Sequence, residues 1–281
     1  MAERTTITLR AGATTATIAP AAGGRVAQLD LGDGSILRPK ERATSWHDWG
    51  CYPLLPWSNR LPGGLLELDD GVHRLPVDHE DGSALHGLAA HAPWTVEGAT
   101  PSSAQLSLRA TAGPYDVVGD LTHSVRPGSL RIDLAVRNVA DRPVPVGLGV
   151  HPWFHAGPVR VPAAARWPGD PLPVGPPVDV GPDDDLRSAR VPPPMDRCFT
   201  RLTGTTADVP GATLRWDGPV EDVVVYTGDA GWVAVEPVTM ANDGFGLARR
   251  GVPGHGTRVL APGDRLSATF WLERPVDRPA G

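Results

Sequence analysis

Apolar and polar residues alternate with a period of two over many short runs of this chain, the pattern of strands buried on one face. Residues 129–139 carry it most clearly: Leu130, Ile132, Leu134 and Val136 share one side, and Arg131, Asp133 and Arg137 take the other. Residues 105–110 and 120–126 precede it, with Pro127-Gly128 supplying the turn. Hairpins are predicted over 5–18 around Ala11-Gly12, over 25–37 around Gly32-Asp-Gly34, and over 65–75 around Asp69-Asp-Gly71. Later strands are predicted at 212–216, 222–227, 232–236 and 265–273, the last with Leu266, Ala268, Phe270 and Leu272 on one face. No ten residues show a 3.6-residue period, and no segment repeats.

Two stretches depart from this pattern. Residues 46–57 are aromatic and irregular, and the prolines at 53 and 56 argue against a central strand there. Residues 158–194 are dense in proline, glycine and aspartate; isolated Trp167, Leu172, Val174 and Val178 predict a loop packed on the body rather than a linker between two domains. The 281 residues are therefore read as one large all-β unit.

Composition narrows the class. With 41% hydrophobic and 21% charged residues the chain can bury a sizeable core, and 33 Gly and 31 Pro punctuate short strands better than long helices. The net charge of −6 is interspersed, so neither a nucleic-acid face nor a membrane surface is expected. Lys40 is the only lysine among 26 basic residues. Cys51 and Cys198 build no disulfide framework and no Cys-x-x-Cys zinc site, which fits a reducing compartment. The N-terminus, Met-Ala-Glu-Arg-Thr-Thr, lacks the apolar stretch of a signal peptide, and no run of about 18 apolar residues occurs. A cytoplasmic protein is expected.

Candidate chemistry sits where polar groups leave apolar strands. A strand over 144–150 runs into His151, then Pro152, Trp153 and Phe154. Glu236 follows Trp232-Val-Ala-Val235, a run apolar enough to be buried on both faces, and Pro237 is expected to end the pairing there. A carboxylate so placed needs a partner: a structural ion pair with an arginine such as Arg60, or a role as general base. If His151 and Glu236 face each other, each should stabilise the other's charged form, raising the histidine pKa and lowering the glutamate's. Such an acid and base suit a reaction that removes one proton and adds another without redox.

His86 precedes Gly87, whose bare backbone permits close approach of a ligand or another strand; His73, His79 and His91 compete with it for attention. No histidine spacing matches a metal motif. Arg60, after Asn59, offers a fork of donors suited to vicinal hydroxyls or a carboxylate, or braces the loop after Trp57. Asp196 is an acceptor beside aromatic residues. Trp57, Trp153, Phe154 and Phe199 all neighbour polar candidates, as a sugar site requires, although core packing accounts for them too.

Taken in order, these stretches resemble the aldose 1-epimerase (galactose mutarotase) family: Pro53-Leu-Leu-Pro-Trp-Ser-Asn-Arg60, His86-Gly87 with Trp94, Gly149-Val-His-Pro-Trp-Phe154, Asp196 with Cys198-Phe199, and Glu236-Pro-Val-Thr239. Gly23-Gly-Arg-Val-Ala27 and Leu260-Ala-Pro-Gly-Asp264 extend the likeness over most of the chain. The resemblance implies a large antiparallel β-sandwich of the galactose mutarotase-like supersandwich type, with little helix, and a cofactor-free interconversion of the α and β anomers of a free sugar. On that basis Glu236 is the general base at the C1 hydroxyl, His151 protonates the ring oxygen, and His86 polarises the oxygens near C1. Arg60, Asn59, Asp196 and Trp153 hold the rest of the sugar. The implied partner is a small sugar, the chain acting as a monomer or homodimer, with no metal. Two local departures stand out: Trp153 occupies a position more often tyrosine, and Leu61-Pro-Gly-Gly64 follows Arg60. The chain is also shorter than the better-known members and has its own proline-rich loop. The alternatives are an epimerase of hexose 6-phosphates, a carbohydrate-binding protein without catalysis, and a metal-dependent β-barrel isomerase.

Overall fold

The computed structural model describes residues 6–275. Residues 1–5, including the first residue of the 5–18 hairpin and most of the segment inspected for a leader, lie outside the described residues. Every pairing between strands is antiparallel. A ten-stranded sheet runs in the order Ile7–Ala11, Thr14–Ala19, Arg25–Asp30, Cys51–Leu54, Gly149–His155, Trp232–Val238, Asp222–Tyr226, Asp196–Leu202, Ala163–Arg166, Val178–Asp179. A seven-stranded sheet packs against it, with Arg265–Glu273, Ser129–Asn138 and Tyr115–Arg126 at its centre. One α-helix is described, Gly244–Arg249, and no described helix is long and apolar enough to cross a membrane. The fold is the large antiparallel β-sandwich anticipated above.

The period of two sorts side chains between two places. Leu130, Ile132, Leu134 and Val136 meet Leu266, Ala268, Phe270 and Leu272 from the next strand, and all are buried between the sheets. The ten-stranded sheet answers with Val150, Phe154, Val223, Val225, Val233 and Val235. Each such buried aliphatic or aromatic side chain stabilises the fold by roughly 1.5–3 kcal/mol. The intervening residues of these central strands point to the sheet's other face, where Tyr52, Trp153, Cys198, Val224, Ala234 and Val238 form a second apolar cluster with Trp167 and Leu247. Both faces are therefore covered, which is why Trp232–Val238 reads as continuously apolar.

Several local expectations are corrected. Cys51–Leu54 is a strand within the sheet despite Pro53. It pairs with Gly149–His155 over four residues but touches Arg25–Asp30 only at Val26↔Cys51, so Pro53 faces little that needs its missing N–H. Pro237 does not end its strand, which runs on through Val238 with Val223↔Pro237 and Asp222↔Val238 pairs on one side. On the other side the ladder registers Gly149↔Val238 and Trp153↔Ala234 but opens in between, where Pro152 and Pro237 lack donors. The predicted 144–150 strand is two: Val144–Val146 pairs with Arg258–Leu260, and Gly149–His155 enters the large sheet. Within 158–194, Trp167 and Leu186 are buried and Leu172 half-buried, whereas Val174 and Val178 are exposed at 84% and 42%. That segment also supplies two strands at the sheet edge, where Arg166 and Arg197 both pair with Asp184.

Candidate active site

Register on the second sheet face builds the floor of a cleft. Cys198, Val224 and Glu236 oppose one another across three strands, as do His151 and Tyr52 on the neighbouring pair. In the opening between their strands, His151 Nε2 lies 3.1 Å from Glu236 Oε1, both side chains being almost wholly buried. One pleat along, Asp196 opposes Tyr226, Tyr226 opposes Ala234, and Ala234 opposes Trp153.

Two short strands bring the remaining groups over this floor. Arg60–Pro62 pairs with Ser83–Leu85, and the residues at the joined ends, Asn59 and His86, both adopt left-handed backbone with φ of 58° and 61°. They hold each other: the His86 N–H donates to the Asn59 carbonyl at 2.9 Å, and the Asn59 N–H donates to His86 Nδ1 at 3.2 Å. The close approach that Gly87 permits is to another strand, since Leu55 bridges to it. Arg60 is gripped by Asp81 at 2.7 Å and Asp196 at 3.3 Å, not by Glu236. The cleft brings together all seven residues singled out in the sequence: His86, His151, Glu236, Asn59, Arg60, Asp196 and Trp153.

Burial sets the electrostatics. It pushes Glu236 well above the usual carboxylate range, Asp196 adding to the effect and Arg60 opposing it. It pushes His151 well below the usual imidazole range, as do His47 and Arg25. The expected mutual stabilisation of charges is thus reversed, because loss of hydration outweighs the attraction of one buried pair. Both directions favour a neutral carboxyl beside a neutral imidazole over a buried ion pair. This form carries the same number of protons as carboxylate plus imidazolium, so one proton shift along the 3.1 Å contact arms the pair. Tyr52 stacks on the His151 ring at 4.7 Å, and the Arg25 guanidinium lies over Tyr52 on its own account at 4.7 Å.

His86, His151 and Glu236 offer donor atoms within 4.8 Å of one another, the geometry of a metal triad. The hydrogen bonding does not fit a metal. Asn59 donates to His86 Nδ1, which leaves the His86 proton on Nε2, so neither ring nitrogen has a free lone pair unless that bond breaks. The same tautomer makes His86 a hydrogen-bond donor to an oxygen.

Of the four aromatic residues proposed to face a sugar, only Trp153 lines the cleft. Trp57, Phe154 and Phe199 belong to the core between the sheets. Tyr226, His47, His79 and Leu85 complete the lining. Tyr226 was visible in the sequence only as the end of an apolar strand, and His47 only as a polar residue amid tryptophans; register and loop packing, not local pattern, put them here.

Asp222, one pleat beyond Glu236, is fully buried and accepts the Trp167 indole N–H at 2.9 Å. Burial lifts its pKa to about 7, with hydrogen bonds from Trp167 and Thr200 opposing. The folded chain then retains a proton that the unfolded chain releases from about pH 4 upward, so this residue's contribution to stability falls as pH rises toward 7. Asp222→Asn is expected to flatten the decline of Tm between about pH 4 and pH 7, read by thermal unfolding at each pH.

Comparison with known proteins agrees with this architecture. The solved structure of a galactose mutarotase-like protein from Clostridium acetobutylicum superposes with a TM-score of 0.82 at 19% identity, covering 97% of this chain and 96% of that one. A galactose 1-epimerase from Lactobacillus acidophilus NCFM gives 0.74 at 16% identity, with 95% and 93% coverage. At these identities the likeness establishes the fold. In sequence, the uncharacterized protein YphB of Escherichia coli (strain K12) is 26% identical over 136 residues, 47% of each chain, so the matched part spans about half of that relative. The family model for aldose 1-epimerase matches residues 5–273. With that match over nearly its whole length, the chain belongs to the aldose 1-epimerase family.

Proposed function

We propose that this protein interconverts the α and β anomers of a free aldohexose by acid–base ring opening and closure. Glu236, as carboxylate, takes the proton of the C1 hydroxyl; the C1–O5 bond breaks as C1=O forms; O5 takes the proton held by His151. Rotation about C1–C2 turns the aldehyde, and the two residues exchange roles to close the ring on its other face. Protons balance over the cycle, and no electrons are transferred. The observation that carries this mechanism is the 3.1 Å contact between His151 Nε2 and Glu236 Oε1. O1 and O5 are bonded to the same carbon, so two groups this close can serve both. His86 Nε2–H donates to the same oxygens, and Asp196 with Arg60 takes hydroxyls farther along the ring.

A free sugar fits better than a 6-phosphate. Among the described residues Arg60 is the one permanent cation lining the cleft, and it already bonds Asp81 and Asp196, so a phosphate would meet carboxylates rather than an unpaired guanidinium. Polarimetry of freshly dissolved α-glucose and α-galactose, alongside their 6-phosphates, tests the proposal. Faster mutarotation of the free sugars, undiminished by a strong chelator, is expected. Acceleration of the phosphates alone would establish the alternative substrate class, and tight sugar binding without acceleration would make this a carbohydrate-binding protein.

The pH profile offers a second check. Burial raises Asp196 to about 6 against the opposing pull of Arg60. Below that pH the residue loses its charge and half its acceptor capacity, so kcat/KM should fall as pH drops through about 6. Asp196→Asn should lower kcat/KM and remove this limb from the profile.

A further inference from the structure

His47 lines the cleft from a turn over residues 44–48 that is tied by a dense set of hydrogen bonds. Asp48 accepts hydrogen bonds from the Thr44 N–H at 2.7 Å, the Thr44 hydroxyl at 2.9 Å and the Ser45 N–H at 3.1 Å. It also pairs with Arg38 at 3.1 Å, both side chains being buried, and Arg38 in turn binds Asp229. The carbonyl of His47 receives the Tyr52 hydroxyl at 2.7 Å and the Trp153 indole N–H at 2.8 Å. Those two rings flank His151, with centroids 4.7 and 5.3 Å away. The main chain of His47 is therefore locked to the rings that fix the acid.

Its side chain is not locked to anything polar. The His47 imidazole lines the cleft beside His79, with ring centroids 5.3 Å apart, and no hydrogen bond from the described residues reaches its ring nitrogens. Burial first, and His79 next, lowers its pKa, which keeps the ring neutral near pH 7. A neutral imidazole presents one donor and one acceptor, the complement of a sugar hydroxyl, which also donates and accepts. Elsewhere in the same cleft, Glu236 and His151 already account for O1 and O5.

We infer that His47 is a substrate-binding residue whose imidazole takes a hydroxyl of the sugar other than the one at C1. The inference rests on the epimerase reading of the same cleft and adds a contact that helps choose among sugars. The pocket then reads the hydroxyl pattern with His47 as well as with Arg60 and Asp196. A sugar lacking the hydroxyl that His47 binds leaves the ring nitrogens buried without a partner.

The test uses the full chain carrying Glu236→Gln, so that bound sugar is not turned over, and isothermal titration with galactose, glucose and their monodeoxy derivatives. Adding His47→Ala preserves the backbone carbonyl that anchors Tyr52 and Trp153. It is expected to weaken binding of the preferred sugar about tenfold, while binding of one particular deoxy sugar stays the same with or without His47. His47→Asn, which keeps a donor and an acceptor, should recover part of the loss. In the active protein His47→Ala should raise KM by a similar factor with kcat within about twofold. Unchanged affinity in His47→Ala, or a fall in kcat with KM constant, would overturn the inference. Wild-type protein that binds sugar but does not accelerate mutarotation would overturn the epimerase reading and leave the His47 comparison intact; absence of any sugar binding would overturn both.

Discussion

Glu236→Gln is expected to lower kcat for mutarotation by about 100- to 10,000-fold, the span that one general acid–base group contributes. Glutamine keeps the shape and can still hydrogen-bond His151, but it cannot take a proton from the C1 hydroxyl. The folded protein should not suffer. Burial already favours the neutral form of this side chain, so a neutral amide at a site almost closed to water costs little, and Tm should hold or rise. His151→Asn should reduce kcat comparably, because ring opening then lacks the proton for O5. The two groups act on one transition state, so the double variant should be scarcely slower than the slower single one. Polarimetry reads the rates and thermal unfolding reads the fold; full activity in either single variant would remove the assigned pair.

Gly87→Ala should produce the largest loss of stability. A Cβ there would lie 2.0 Å from the Leu55 carbonyl oxygen and 2.4 Å from its carbon, both backbone atoms, at a φ of +80° that side chains rarely adopt. Left-handed strain and forced separation each cost about 1–3 kcal/mol, so a combined loss of about 3 kcal/mol or more is expected. For a chain of this size that lowers Tm by roughly 6–12 °C. The segment that must shift carries His86, so KM should rise together with the fall in Tm. Gly98→Ala is the control: its φ lies outside the left-handed region and nothing lies within 4 Å of the added atom, so little change is expected.

Much of this architecture was legible because a period of two is a local property. Leu130, Ile132, Leu134 and Val136 announce their buried face whatever strand lies beside them. The errors fall where a neighbour decides. Pro53 and Pro237 looked like strand breakers because a missing N–H is harmful only where the adjacent strand presents a carbonyl to it, and both face gaps in the ladder. The directions of the His151 and Glu236 pKa shifts differ from the expectation for a related reason: proximity is foreseeable from motifs, whereas depth of burial depends on the whole fold around both side chains. Phe154 and Phe199 could not be told from cleft aromatics by adjacency, since the next residue along a strand points to the opposite face. His47 reaches the cleft only through the fold of its turn onto Tyr52 and Trp153.

The alternation along Trp232–Val238 also bears on how such a chain can vary over evolutionary time. Val233 and Val235 lie between the sheets, whereas Ala234, Glu236 and Val238 point to the sheet's other face, where Glu236 lines the cleft. A single inserted or deleted codon within this strand would rotate every side chain beyond it by half a turn, dropping an ionisable carboxyl into an oily interior and presenting a valine to the substrate. Indels should therefore be purged from the central strands and tolerated in the connecting segments, such as the 158–194 excursion. Homologues that differ in what they bind would then be expected to differ in loops around one strand frame.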